Sequence, residues 1–173
     1  MNIMTTLSIY LLAVSGILVF ALLWYLLNNV LPTRRFNNYF VVSPSLQWDQ
    51  SEQKQDHLLR GSLLLELLEG KEEAKGLLVT DVQFSIKEFH IRNFDKLYLD
   101  AQGSRGQKLS VALYIGRRHV HLITGKSISI NLKGYVVLKE NKRRRVKATY
   151  ILDPQQINLP DTLPSSGLDM SVH

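Results

Sequence analysis

Cysteine is absent from this chain of 173 residues, which excludes a disulfide scaffold, an iron–sulfur centre and a thiolate zinc site. The hydrolase motif GxSxG, the metalloprotease motif HExxH and a paired set of acidic residues suited to acid–base catalysis are also missing. We therefore expect no enzymatic activity, and no residue pattern indicates a cofactor.

Charge is absent from residues 1–33, and the central stretch Leu7–Leu27 is almost entirely apolar. A helix of this length rises roughly 31 Å, close to the thickness of about 30 Å of a bilayer's hydrocarbon core. The run is longer than the apolar part of a typical cleaved signal peptide, and no Lys or Arg precedes it. The sequence therefore predicts one transmembrane anchor at residues 1–33, with aromatic rings near both headgroup boundaries. We assign to this anchor Leu7, Tyr10, Gly16, Trp24, Tyr25 and Leu27.

Positive charge first occurs on the C-terminal side of this span, where Arg34 and Arg35 follow it directly. Positively charged flanks favour the cytoplasmic side of a membrane. We therefore expect a single-pass integral membrane protein whose soluble domain is cytoplasmic and whose N terminus is outside.

Composition divides the rest of the chain into three parts. Residues 34–56 mix Asn, Ser and Gln with a few apolar side chains, and we interpret them as a tether that leads into a short strand. Residues 57–153 form a β-rich soluble domain. Residues 154–173 contain three prolines and little apolar periodicity, which predicts an extended or disordered tail.

Alternation of apolar and polar residues dominates the soluble domain. It is cleanest at 81–87, 127–133 and 145–150, and shorter strands are expected at 97–100, 109–115, 120–123 and 135–139. Short turns with Gly or Asn, such as Lys133-Gly134, separate these segments and leave no room for crossover helices. The sequence predicts an all-β fold, an antiparallel meander that forms a sandwich or a partly open barrel.

The leucine-rich stretch at 57–78 has two interpretations. A helix would gather its leucines on one face, but Gly61 and Gly70 disfavour a helix. We favour a hairpin in which Leu63–Leu68 and Leu77–Val82 are joined by the loop Gly70–Gly76.

Basic residues are concentrated late in the chain, since residues 1–100 carry a net charge of −2 and residues 101–173 a net charge of +8. Successive turns of a meander lie at alternate ends of its sheet, which places the turns near 105, 126 and 142 at one end. The resulting basic pole suits anionic lipid headgroups or an acidic protein partner, and the alternative is that it only keeps hairpin ends soluble. Nucleic acid is a poor fit because no aromatic residues interleave with the charges. We assign to this pole Arg105, Lys108, Lys126, Lys142, Arg143, Arg144 and Arg145, and we expect Arg117, Arg118 and Lys133 at the opposite end.

Two motifs have some residues of a ligand site but lack its full pattern. His119 and His121 would share one face of a strand, but the sequence shows no third ligand unless His90 approaches from another strand. Solvent-facing histidines are the simpler interpretation, and we assign no metal site. Gly125-Lys126-Ser127 matches the end of a phosphate-binding loop, yet the earlier glycine is missing and a strand is expected to follow.

The sequence supports two functional hypotheses. In the first, the protein is a non-catalytic accessory subunit, scaffold or assembly factor of a membrane protein complex. In the second, the β domain is a lipid-binding or anionic-membrane-sensing module that uses the basic pole. A substrate-binding β-barrel is a weaker third hypothesis, because it needs a concave apolar pocket.

Overall fold

A computed structural model describes residues 3–49, 57–92, 94–101, 107–157 and 159, with the side chains of residues 3–9 excepted. Its helical part comprises α1 (Ile3–Tyr25), a π-helical turn (Leu26–Val30) and α2 (Leu31–Tyr39). The strands are β1 (Phe40–Trp48), β2 (Leu58–Gly70), β3 (Ala74–Phe84), β4 (His90–Ile91), β5 (Leu97–Asp100), β6 (Gln107–Gly116), β7 (Ile128–Leu138) and β8 (Arg143–Leu152). Two 3₁₀ helices, Arg117–Leu122 and Pro154–Gln156, complete the described elements.

The helical elements form one continuous rod that passes Pro32 and extends beyond residue 33, where the predicted anchor ends. Proline lacks an N–H and crowds the preceding turn, and a π-helical turn directly before it widens the rod at that point. Side chains bond the backbone carbonyls there: Asn28 Nδ2 donates to the Trp24 carbonyl at 3.0 Å, and Thr33 Oγ1 donates to the Asn29 carbonyl at 2.8 Å. The rod therefore continues to Tyr39.

The strands form two antiparallel sheets, which confirms a mainly antiparallel β fold after an N-terminal apolar helix. The first sheet has the order β1-β2-β6-β4 and the second the order β5-β3-β7-β8. Alternate residues of β2 and β7 point into one shared core, where Leu59, Leu63, Leu65, Ile128 and Ile130 are fully buried. The two sheets are therefore the layers of a sandwich-like domain.

The predicted hairpin and the simple meander are wrong. Both segments of the hairpin are strands, but β2 lies between β1 and β6 in the first sheet while β3 lies between β5 and β7 in the second. Because both edges of β2 are already paired, the link at residues 71–73 crosses between layers. The chain also changes sheet at each link from β3 to β7, since β4 and β6 belong to the first sheet and β3, β5 and β7 to the second.

One predicted strand and one predicted turn are also wrong. Residues 120–123 belong mostly to the 3₁₀ helix Arg117–Leu122, because their buried side chains, Val120 and Ile123, are three residues apart and match its period. The expected turn at Gly134 lies inside the single strand β7. A Cβ there would come within 2.1 Å of the Leu78 carbonyl oxygen, so this glycine marks close contact between neighbouring strands.

Parts of the predicted tether and tail belong to the domain. Phe36, Phe40 and Leu46 from residues 34–48 are buried in the core, in α2 and β1. Beyond β8, Ile157 is buried and its carbonyl accepts a hydrogen bond from Trp48 Nε1 at 2.7 Å. The remainder of the predicted tail, at 158 and 160–173, lies outside the described residues.

Candidate functional site

A row of basic side chains projects from the outer face of β8. Arg143, Arg145 and Lys147 alternate with residues that point toward the core, Val146 and Ala148. Lys147 pairs with Lys133 across the β7–β8 register, so Lys133 projects from the same face. Arg143, Arg145 and Lys147 are spaced at i, i+2 and i+4 in the sequence, and this period of two indicates that Lys147 belongs to the row.

Two tyrosines lie on the same outer face. The strand registers place Tyr135 opposite both Arg145 and Leu78, and Leu78 opposite Tyr98, which makes one row across the sheet. Tyr98 and Tyr135 remain about two-fifths exposed, at 42% and 38%. We call this surface, formed by Lys133, Arg143, Arg145, Lys147, Tyr98 and Tyr135, the basic face.

Few acidic groups neutralise the basic face. Lys133 Nζ lies 2.9 Å from Asp81 Oδ2, and in the adjoining turn Lys142 Nζ lies 2.6 Å from Glu140 Oε2. Within the part of the chain that the structure describes, Arg143, Arg144 and Arg145 have no ion-pair partner. Their charge is therefore available to an external anion.

The structure separates some residues that the sequence placed in one basic pole. Lys142 to Arg145 lie together where β7 ends and β8 begins, and Lys108 lies at the same end of the domain but on the first sheet, 3.8 Å from Glu66. Lys126 lies at the opposite end, before the first residue of β7. Arg105 lies outside the described residues. Lys133, expected at the opposite end, is in the middle of β7 and on the basic face.

The error at Lys126 comes from counting turns. The predicted strand at 120–123 and the predicted turn at Gly134 are both absent. Lys142 follows both errors, which cancel, so its end of the sheet was predicted correctly. Lys126 follows only the first error and was therefore assigned to the wrong end. Arg117 and Arg118 were placed correctly by the same count, since they precede the first of these errors.

The helical rod leaves the domain at the end that carries Arg143. Lys147 Nζ donates to Asn29 Oδ1 at 3.1 Å, and the rings of Phe36 and Tyr150 meet edge-on with centroids 6.3 Å apart. The rise from Asn29 to Phe36 is about 10.5 Å and from Lys147 to Tyr150 about 10 Å, so the rod and β8 run in the same direction. From α2 toward α1, the rod passes first Tyr150 and then Lys147. Beyond Lys147 in the same direction lies Arg143, the first residue of β8.

The apolar part of the rod makes no contact that buries it. Tyr10–Tyr39 is the one described helix long and apolar enough to span a membrane, and its most apolar stretch is wholly unburied. Tyr10, Gly16, Trp24, Tyr25 and Leu27 are all exposed, and Leu7 lies in α1. Ser15 Oγ donates to the Leu12 carbonyl at 2.9 Å, which satisfies this polar group inside an apolar helix.

The histidine pair and the Gly125 motif do not lie in the elements that a ligand site of either type requires. His119 and His121 lie in a 3₁₀ helix rather than on a strand, so two residues' separation does not give them a common face. No group of three His, Cys, Asp or Glu side chains suited to a metal ion occurs among the described residues. Gly125, at φ +67°, forms a left-handed turn and β7 follows it, as expected for a turn rather than a phosphate-binding loop.

Comparison of the chain with protein-family models, with curated proteins and with solved structures gives no match.

Proposed function

We propose that this protein is a single-pass, non-catalytic membrane protein whose β domain docks on anionic lipid headgroups through the basic face. The path of the helical rod is the observation that carries this proposal. The apolar part of the rod extends from the β domain at the end where β8 begins, at Arg143. A transmembrane rod with this path holds the end of the domain at Arg143, rather than the end at Lys126, next to the bilayer.

The distances constrain how β8 is oriented at the headgroup layer. Leu27 ends the apolar span two residues before Asn29, which places the Lys147 ammonium at the membrane boundary. Along β8, Arg145 and Arg143 are about 7 and 13 Å from Lys147 on the membrane side. The headgroup layer is about 5–7 Å deep on each side of the hydrocarbon core, so Arg145 and Arg143 stay within it only when β8 is inclined to the bilayer normal and the transmembrane part of the rod diverges from β8.

The energy is sufficient for stable docking. Each basic side chain near an anionic surface contributes about 1 kcal/mol before screening, so Arg143, Arg145 and Lys147 together contribute about 3 kcal/mol. This corresponds to a preference of more than a hundredfold for the docked orientation. The anchor makes docking intramolecular, so no further translational entropy is lost. Tyr98 and Tyr135 add rings of the kind that favour the headgroup boundary.

The proposal includes the orientation expected from the sequence. Anionic lipids are enriched in the cytoplasmic leaflet, and Arg34 and Arg35 favour placing the β domain on that side.

A single introduced cysteine provides the test, because the native chain has none. Val137 lies on the outer face opposite Arg143, and a fluorophore on a Val137→Cys chain reports contact with the headgroups. We expect quenchers attached to lipid headgroups to quench this fluorophore in phosphatidylserine-containing bilayers. We expect 1 M salt to reduce the quenching, because the Debye length falls to about 3 Å.

Charge reversal distinguishes a specific face from net charge. We expect Arg143→Glu combined with Arg145→Glu to abolish the salt-sensitive quenching. The matched control, Lys87→Glu with Lys126→Glu, makes the same change in net charge at the opposite end and should leave quenching unchanged. Equal effects of the two double variants would contradict docking through the basic face.

A second function, that of an accessory subunit or assembly factor in a membrane complex, is favoured by the unburied apolar rod. Apart from the backbone of its own helix, no atom of the described residues lies within 4 Å of the position that a Cβ on Gly16 would occupy, so a neighbouring helix has room to approach closely there. A blue native gel with crosslinking from native membranes tests this function. Migration of the chain by itself in mild detergent would contradict it.

A further inference from the structure

Two adjoining depressions lie on the outer face of the first sheet, at the end of the domain opposite Arg143. One has a volume of about 480 Å³ and lies where β2 begins and β6 ends, and the other has a volume of about 620 Å³. They share the side chains of Leu58 and Tyr114, so we call the pair the distal groove. Their volumes fall in the range of small-molecule sites, about 300–1,000 Å³.

Positive charge dominates the lining of the distal groove. Its arginines are Arg60, Arg92, Arg117 and Arg118, and its acidic residues are Asp49 and Glu88. The formal charge of the lining is therefore +2 with its histidines neutral, which favours an anionic ligand over a cation or a neutral molecule.

Several of these side chains are held in place before any ligand arrives. Arg118 Nε donates to His119 Nε2 at 2.9 Å, which fixes the orientation of that imidazole. The ring of His90 stacks on Tyr114 with centroids 5.2 Å apart. The backbone N–H of Arg117 donates to the His57 carbonyl at 2.9 Å, which ties the 3₁₀ helix to the start of β2. Preorganised donors lose less entropy when they bind.

Arg117 supplies the observation that points to a ligand. Its Nε is buried and has no hydrogen-bond acceptor among the residues that the structure describes. A buried donor on a charged group is costly when it is left unpaired, and buried polar groups in proteins nearly always have partners. The Arg117 guanidinium lines the groove, and an oxyanion bound there to its other N–H groups would compensate its charge, since the guanidinium fork matches both carboxylate and phosphate.

We propose that the distal groove binds a small organic molecule through its phosphate or carboxylate group, with Arg117 and Arg118 as the anion-binding residues. This inference is independent of the proposed docking, because the groove lies on the opposite layer from the basic face.

The test uses the full-length chain in nanodiscs of neutral phosphatidylcholine, which removes the contribution of anionic lipid. Inorganic phosphate and citrate are the two probes, and glycerol is the neutral control, with binding measured by calorimetry. We expect saturable binding of at least one anion with a Kd near or below about 1 mM, as two charge-assisted hydrogen bonds would give. Preference for phosphate or for citrate identifies which oxyanion the groove takes.

Matched variants locate the binding. Arg117→Gln and Arg118→Gln should each weaken binding about tenfold or more, whereas Lys126→Gln, which removes one charge at the same end but outside the groove, should leave the Kd within about twofold. If Arg117→Gln lowers the melting temperature, the Kd of the Arg118→Gln chain decides the outcome, because Arg118 is exposed. Absence of saturable binding to both anions, or equal affinities of Arg118→Gln and Lys126→Gln, would overturn the proposal.

Discussion

Tyr150 lies where α2 packs on β8, and its environment links the stability of that contact to pH. Burial raises the pKa of Tyr150 above the ordinary value of a tyrosine, because the charged phenolate is poorly solvated there. An unfolded tyrosine ionises near pH 10, whereas the folded chain holds the proton to higher pH. Tyr150 therefore contributes its full stabilisation below about pH 10, and this contribution is lost as the pH rises further.

We expect Tyr150→Phe to remove one component of alkaline unfolding. Above about pH 10 the free energy of unfolding of the native chain should fall by up to about 1.4 kcal/mol per pH unit more steeply than that of the variant. Thermal unfolding of both chains between pH 8 and pH 11, followed by circular dichroism, measures this difference. Identical alkaline slopes would show that Tyr150 ionises as easily in the folded chain as in the unfolded one.

Single residues also show where sequence reasoning was reliable. The turn at Glu140-Asn141-Lys142 was identified correctly, because Asn tolerates the left-handed conformation that Asn141 adopts at φ 59°. Gly134 was predicted to be a turn residue, because the sequence does not distinguish a glycine required for close packing of two strands from one required in a turn. The difference depends on the Leu78 carbonyl, which lies on another strand and is distant in sequence.

Helix α2 holds the rod to the β domain mainly through Phe36. This side chain is only 3% exposed and contacts the rings of Phe40 and Tyr150, with centroids 5.9 and 6.3 Å away. Truncation of a buried Phe to Ala typically costs about 3–5 kcal/mol, from lost apolar contact and the cavity left behind.

We therefore expect Phe36→Ala to lower the free energy of unfolding of the β domain by about 3 kcal/mol or more. Asn37→Ala is the matched control on the next, exposed position of α2 and should change it by less than about 0.5 kcal/mol. Denaturant unfolding of the chain in nanodiscs, followed by the fluorescence of the buried Trp48, measures both values. A loss for Phe36→Ala no larger than for Asn37→Ala would mean that α2 is not part of the cooperative unit.

Element types followed local pattern, whereas element pairing did not. The period of two located most strands, and β2 was correctly preferred as a strand because glycines interrupt its leucines. No local feature distinguishes a link that returns along the same sheet from one that crosses to the other layer, which is why residues 71–73 were read as a hairpin loop. The helix also continues into the segment that was predicted to be a tether, because a π-helical turn and the hydrogen bonds from Asn28 and Thr33 carry it past Pro32.

Taken together, the rod and the β domain have two charged surfaces with different surroundings. The basic face lies on the second sheet on the side where the apolar rod extends from the domain, and the distal groove lies on the first sheet at the opposite end. The sequence identified the arginines at 143–145 as a basic cluster. It gave no means of grouping His90, Tyr114 and Arg117, because three separate elements bring them together.

The most direct test of this account compares two labelled positions in the native charge background. Val137 lies on the outer face of the second sheet, and Ser110 is exposed on β6 of the first sheet. With the same fluorophore on Val137→Cys or Ser110→Cys and the full chain in phosphatidylserine-containing bilayers, we expect headgroup-attached quenchers to quench the label at 137 strongly and the label at 110 weakly. Equal quenching at both positions, or stronger quenching at 110, would contradict docking through the basic face.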